Sequence, residues 1–147
     1  GTPWMQGGIR SYFSANGDYS DAEKVVAVIE SIVFMIQLNL ELMAAEAPLK
    51  KLRISGGLSK LDGLCQKLSN LSGFELERSD VAEATARGVA WLAAGRPENW
   101  GIAGPDKDAE IIRYMPQHDQ RLHARYQIFK TEMKRSLDTI QQTVPEK

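Results

Sequence analysis

From residue 20 onward the chain sets apolar side chains three and four apart: Val25, Val28, Ile29, Ile32, Val33, Ile36, Leu40 and Met43. That spacing predicts a helix with one buried face. Ser20 followed by Glu23 supplies a capping box for its first turn, and Pro48 forbids continuation past about Ala47. Val26, Phe34, Met35, Leu38 and Leu42 widen the stripe almost all round, so the helix is expected to be covered on more than one side.

The pattern then changes period. Residues 49–55 read as a short strand, Gly56-Gly57 as a tight turn and 59–71 as a helix closed by Gly73. Residues 74–78 alternate apolar and charged, as a half-buried strand does. A helix over 81–94 follows, capped by Ser79 or Asp80 and stopped by Gly95 and Pro97. Residues 96–107 read as an exposed loop, 111–115 as one more short strand, and 117–142 as an amphipathic helix carrying Leu122, Tyr126, Phe129, Met133, Leu137 and Ile140. Ahead of all this, residues 1–16 read as a glycine- and aromatic-rich loop entering a short extended piece near 11–15. Asn16-Gly17-Asp18 then makes a turn.

The class is α/β, helix-rich with a small sheet. Two or three short strands cannot by themselves bury so apolar a first helix. Further strands are therefore expected from a partner chain or an upstream segment.

Totals narrow the field only modestly. The chain has 147 residues, 43% hydrophobic and 25% charged, with a formal net charge of -1. This suits one globular domain and gives no bulk field favouring nucleic acid. Glu30, Ser31, Gln37, Asn39 and Glu41 interrupt the apolar stretch and argue against a membrane span. A lone Cys65 fits a reducing, cytoplasmic setting.

The segment most open to chemistry is Ile54-Ser55-Gly56-Gly57-Leu58-Ser59-Lys60-Leu61. A strand ending in two glycines before a helix lets a ligand lie against bare backbone, and a helix start offers free amides. A turn that merely needs a glycine explains the pair alone equally well. Elsewhere, His118 and His123 stand five apart on one helix and share no face, so they make no metal site. Asp18, Asp21, Asp62 and Asp80 read as turn or cap residues, Cys65 and Trp91 as core, and the basic side of the last helix (Arg121, Arg125, Lys130, Lys134, Arg135) as a solvated face. Gly88, costly within a helix, implies close packing against the Gly56-Gly57 turn or its helix.

Three segments in order resemble the FGGY carbohydrate kinase family. They are Glu30-Ser31-Ile32-Val33-Phe34 with Glu41 and Met43, then Ile54-Ser55-Gly56-Gly57, then Leu76-Glu77-Arg78 followed by Glu83-Ala84-Thr85-Ala86-Arg87-Gly88-Val89-Ala90. The resemblance runs from Trp4 to the end and implies part of one lobe of an actin-like (ribonuclease H-like) ATPase fold. ATP would then be held between two lobes. It implies that Gly56, Gly57, Leu58 and Leu61 form part of the adenosine pocket. Leu61 has no group to hydrogen-bond a base, so adenine would meet apolar contact from Leu58 and Leu61. It also implies that Trp4 and Arg10 line the cleft, that Mg2+ and a sugar or polyol complete the reaction, and that an N-terminal kinase lobe carries the catalytic residues. None of the family's phosphate-cradling or base motifs occurs in this sequence, so the chain alone is expected to be inactive. A non-catalytic assembly or regulatory lobe, pairing through its sheet edge or apolar helix with itself as a homodimer or with another protein, is the alternative.

Overall fold

A computed structural model describes residues 12–13, 17–79, 84–98 and 111–143. The expected extended piece near 11–15, most of the loop over 96–107, and Trp4, Arg10, Asp80 and Glu83 lie outside the described residues.

The first helix, α1 (Asp21–Glu46), starts as its capping box dictates. The Ser20 Oγ accepts from the Glu23 amide at 3.4 Å, and the Glu23 carboxylate accepts from the Ser20 amide at 2.9 Å. Its buried row is Glu30, Val33, Phe34 and Gln37, a run of i, i+3, i+4 and i+7. The expected face holds at Ile29, Ile32, Val33, Ile36 and Leu40, but is corrected at its ends, where Val25, Val28 and Met43 are exposed, as are Val26 and Leu42. Around its middle the helix is covered more widely than this row, since Ile29, Ile32, Ile36, Leu38 and Leu40 are partly buried against the same core. Two polar residues sit on the buried row, Glu30 with ionic partners and Gln37 with its Oε1 left without a partner among the described residues. Lys67 and Arg125 hold Glu30, and the Gln37 amide donates to Glu41. By length and composition α1 would also pass for a membrane span. Those ion pairs, and Val33 and Phe34 at the centre of the core, make it the core helix of a folded domain.

The sheet is mixed, with order β1-β2-β3. β1 (Leu52–Ile54) runs parallel to β2 (Leu76–Ser79), and β2 runs antiparallel to β3 (Ile111–Tyr114). The strands are shorter than the alternation suggested. Between β1 and β2, a single 3-10 turn (Gly57–Lys60) precedes α2 (Asp62–Ser72), which stops at Gly73 in the left-handed conformation. The expected helix over 59–71 therefore begins three residues later. α3 (Ala84–Ala93) follows β2, and α4 (Gln120–Thr143) closes the chain. The Asp119 carboxylate caps α4 by accepting from the Leu122 amide at 2.9 Å.

One core joins α1, α2, α4 and the inner face of the sheet. Val33, Leu64, Cys65, Leu76 and Leu122 are fully enclosed, and Phe34 sits between Tyr126 and Phe129 at ring-centre distances of 5.5 and 5.3 Å. Along α4, burial fades by Leu137, which is exposed. Ser69, wholly buried, places its Oγ 2.9 Å from the carbonyls of both Phe74 and Tyr114 and so ties α2 to the sheet.

The two faces of the sheet differ in chemistry. Leu76 and Tyr114 face the helices. On the other face Arg53, Glu77 and Arg113 form one transverse row in register. Glu77 accepts from Lys51, Arg53 and Arg113, and these cations hold its carboxyl below the usual range.

Candidate functional site

The glycine pair sits at the carboxyl end of β1, the parallel neighbour of β2. In open α/β sheets this is the end at which ligands bind. Gly56 has φ 94° and ψ 179°, a conformation essentially confined to glycine. Its carbonyl accepts from the Ser59 amide at 3.1 Å and from the Ser59 hydroxyl at 2.6 Å, which closes the turn. Gly57 is different. Its φ lies outside the left-handed range, and a Cβ built on it would meet nothing within 4 Å. The fold thus requires a glycine at 56 but not at 57, where none of the described residues crowds the backbone.

The side chains beside this bare backbone are apolar and exposed. Leu58 is 52% exposed and Leu61 is 41% exposed. The structure therefore brings Gly56, Gly57, Leu58 and Leu61 together on one edge. It does not place an α-helix start directly behind the glycines. The chain first makes a 3-10 turn, closed by the Leu61 amide on the Leu58 carbonyl at 3.1 Å, and α2 opens with the acidic Asp62. The expected free amides of a long helix consequently do not face the glycine pair.

Ser59 is the only residue of the turn that is buried. Its carbonyl accepts from Arg78 Nη1 at 2.8 Å and from Cys65 Sγ at 3.2 Å. The same Arg78 nitrogen donates to Asp62 Oδ1 at 2.7 Å, and the Tyr114 hydroxyl donates to that oxygen at 2.6 Å. Asp62 is thus more than a turn or cap residue. The bonds from Tyr114 and then Arg78 hold its carboxyl below the usual range, while burial and the bond to Asp62 push Tyr114 up to about 12. Burial also raises the Cys65 thiol, in keeping with an inert core cysteine. Sequence reasoning quoted Arg78 only as part of a motif. Its signal was a cation at the end of a predicted strand, and the structure sets that strand parallel to the glycine-bearing one.

Three other expectations need correction or completion. A Cβ on Gly88 would meet nothing within 4 Å, so Gly88 does not pack against the glycine turn or α2. Trp91 is half-buried outside the core. Its Nε1 donates to the Pro97 carbonyl at 3.2 Å, and the Arg96 guanidinium lies 5.9 Å from the ring centre, so it fastens the end of α3 instead. On α4, Arg125 and Lys130 pair with Glu30 and Glu41, so that side is partly an interhelical contact. Among the described residues no group of three His, Cys, Asp or Glu could hold a metal ion.

The chain matches the FGGY family of carbohydrate kinases, C-terminal domain, over residues 1–95, a stretch that contains the glycine turn and Arg78. It belongs to that family. It is 36% identical over 126 residues to the glycerol kinase of Haloferax volcanii, covering 78% of this chain and 23% of that relative. To the glycerol kinase of Koribacter versatilis it is 31% identical over 125 residues, covering 83% of this chain and 23% of the relative. The glycerol kinase of Petrotoga mobilis is 42% identical over 76 residues. This chain therefore spans less than a quarter of the length of the first two relatives.

Proposed function

We propose that this chain forms the adenosine-facing part of the C-terminal lobe of an ATP-dependent carbohydrate kinase. The whole enzyme would transfer the γ-phosphoryl group of ATP to a hydroxyl of a sugar or polyol, with glycerol the first acceptor to test. The observation carrying this reading is Gly57, which is bare and open although its own fold does not require a glycine there. A purine nucleoside would lie against that backbone, with Leu58 and Leu61 as its apolar wall. An actin-like lobe is the architecture we infer, on the strength of a parallel β1–β2 pair joined through α2 and extended by an antiparallel β3.

Phosphoryl transfer also needs a base and charge neutralisation at the phosphates. Magnesium would be held by carboxylates and the nucleotide phosphates of the complete enzyme, and the residues described bring no group of three His, Cys, Asp or Glu together for it. Those functions belong to an N-terminal lobe, within the part of the relatives' length that this chain does not span. The free, buried Cys65 accords with a cytoplasmic setting.

Calorimetric titration with ADP and ATP tests the reading. The chain should bind both, and Gly57→Val should abolish the heat without altering the far-UV spectrum. Equal binding by that variant would end the proposal. The chain alone should phosphorylate no polyol.

One observation favours a second reading, a non-catalytic assembly lobe. Val25, Val28, Leu42 and Met43 leave the outer side of α1 apolar and exposed. Sedimentation that finds a stable homodimer without nucleotide binding would favour it.

A further inference from the structure

Taking the glycine turn as the nucleotide site, as proposed above, we propose that Arg78 is the positioning residue that sets its attitude. Gly57, Leu58, Lys60 and Leu61 all point to solvent and gain no hold from the core. The turn is anchored through Ser59, which is 4% exposed. From β2, Arg78 donates through one nitrogen to both the Ser59 carbonyl and Asp62, the first residue of α2. From β3, Tyr114 holds the same Asp62 oxygen, and the Arg78 guanidinium lies 5.7 Å from its ring centre. Strands β2 and β3 therefore hold Ser59 within the 3-10 turn and Asp62 just beyond it, and the bare edge at Gly57, two residues before Ser59, is aimed by this grip.

The grip touches the core at Tyr114 and Cys65, but Arg78 itself is not a member of the core cluster. Val33, Leu64, Leu68 and Leu122 pack without it. Loss of Arg78 should therefore loosen the turn while the fold persists. Because a single nitrogen serves both acceptors, an ammonium at that place can serve them too, and lysine should restore what an apolar side chain loses.

The experiment compares the isotope-labelled chain with its Arg78→Met and Arg78→Lys variants by NMR, titrating ADP. In the unaltered chain ADP should shift the Gly57 and Leu61 amides. Arg78→Met should bind ADP about tenfold more weakly, the worth of one lost charged hydrogen bond. Its Ser59 and Leu61 amides should exchange faster with solvent, while the Leu64, Leu68 and Leu122 amides keep their protection. Arg78→Lys should recover most of both effects. If Arg78→Met does not fold, Tyr114→Phe, which removes one hydroxyl, should weaken ADP in the same direction. Unchanged ADP affinity in the altered chain, or weaker binding with turn exchange unmoved, overturns the role of Arg78 alone. No shift at Gly57 or Leu61 in the unaltered chain removes the nucleotide site itself, and this inference with it.

Discussion

Glu30 on α1 and Arg125 on α4 meet through two contacts of 2.7 Å, Nε to Oε2 and Nη2 to Oε1, and Lys67 of α2 adds a third at 2.7 Å. One carboxylate thus binds three helices. Removing it leaves the Arg125 and Lys67 cations facing each other without their shared counter-ion. Fully buried pairs lose about 3–5 kcal/mol when one partner goes. Arg125 and Lys67 remain 44% and 29% exposed, so solvent screens part of that loss. Glu30→Gln should cost about 2 kcal/mol, lowering the thermal midpoint by roughly 5 °C. A midpoint equal to that of the unaltered chain would show the clamp to be idle.

The same carboxylate sets a pH dependence. Burial works against its charge, but the bonds from Arg125 and Lys67 more than offset this, so Glu30 titrates below its ordinary value when folded. A depressed carboxyl contributes stability that is complete above the ordinary glutamate value and is lost as pH falls through the folded one. Asp62 and Glu77 are shifted the same way. Tyr114 is the opposite case, raised to about 12, so its contribution persists at neutral pH and fades only on the alkaline side. Thermal midpoints should be level around neutrality and fall below the carboxylate range, and Glu30→Gln should flatten the acid limb.

What could be read from the sequence was local chemistry. Ser20 with Glu23, the Gly56-Gly57 turn after a short strand, and Gly73 all act within a few residues, and the structure has them where they were expected. The polar members of the buried row of α1 could not be read that way. Glu30 is on the inside because of residues 37 and 95 positions later, which no helical period reveals. The grip on Ser59 and Asp62 was hidden for the same reason, since Arg78 lies 19 and 16 residues away.

Gly56 and Gly57 should separate under substitution. Gly56→Ala forces an L side chain into a conformation reserved for glycine and should cost about 1–3 kcal/mol. Gly57→Ala meets neither a positive φ nor a neighbour, so stability should change by less than about 0.5 kcal/mol. Chemical denaturation of the two variants side by side measures this directly. Equal losses would mean that both glycines serve the turn, and the open edge at 57 would lose its claim to a ligand.

Gly88 offers the reverse test. It lies inside α3, it is exposed, and an added Cβ meets nothing within 4 Å. Glycine within a helix is about 1 kcal/mol worse than alanine, partly because the unfolded chain gains freedom that folding must remove. Gly88→Ala should therefore stabilise the chain by up to about 1 kcal/mol. The expectation from sequence, that this glycine makes room for a neighbouring backbone, forecasts the opposite sign. A lower denaturation midpoint in Gly88→Ala would restore close packing at α3 and place a surface against it.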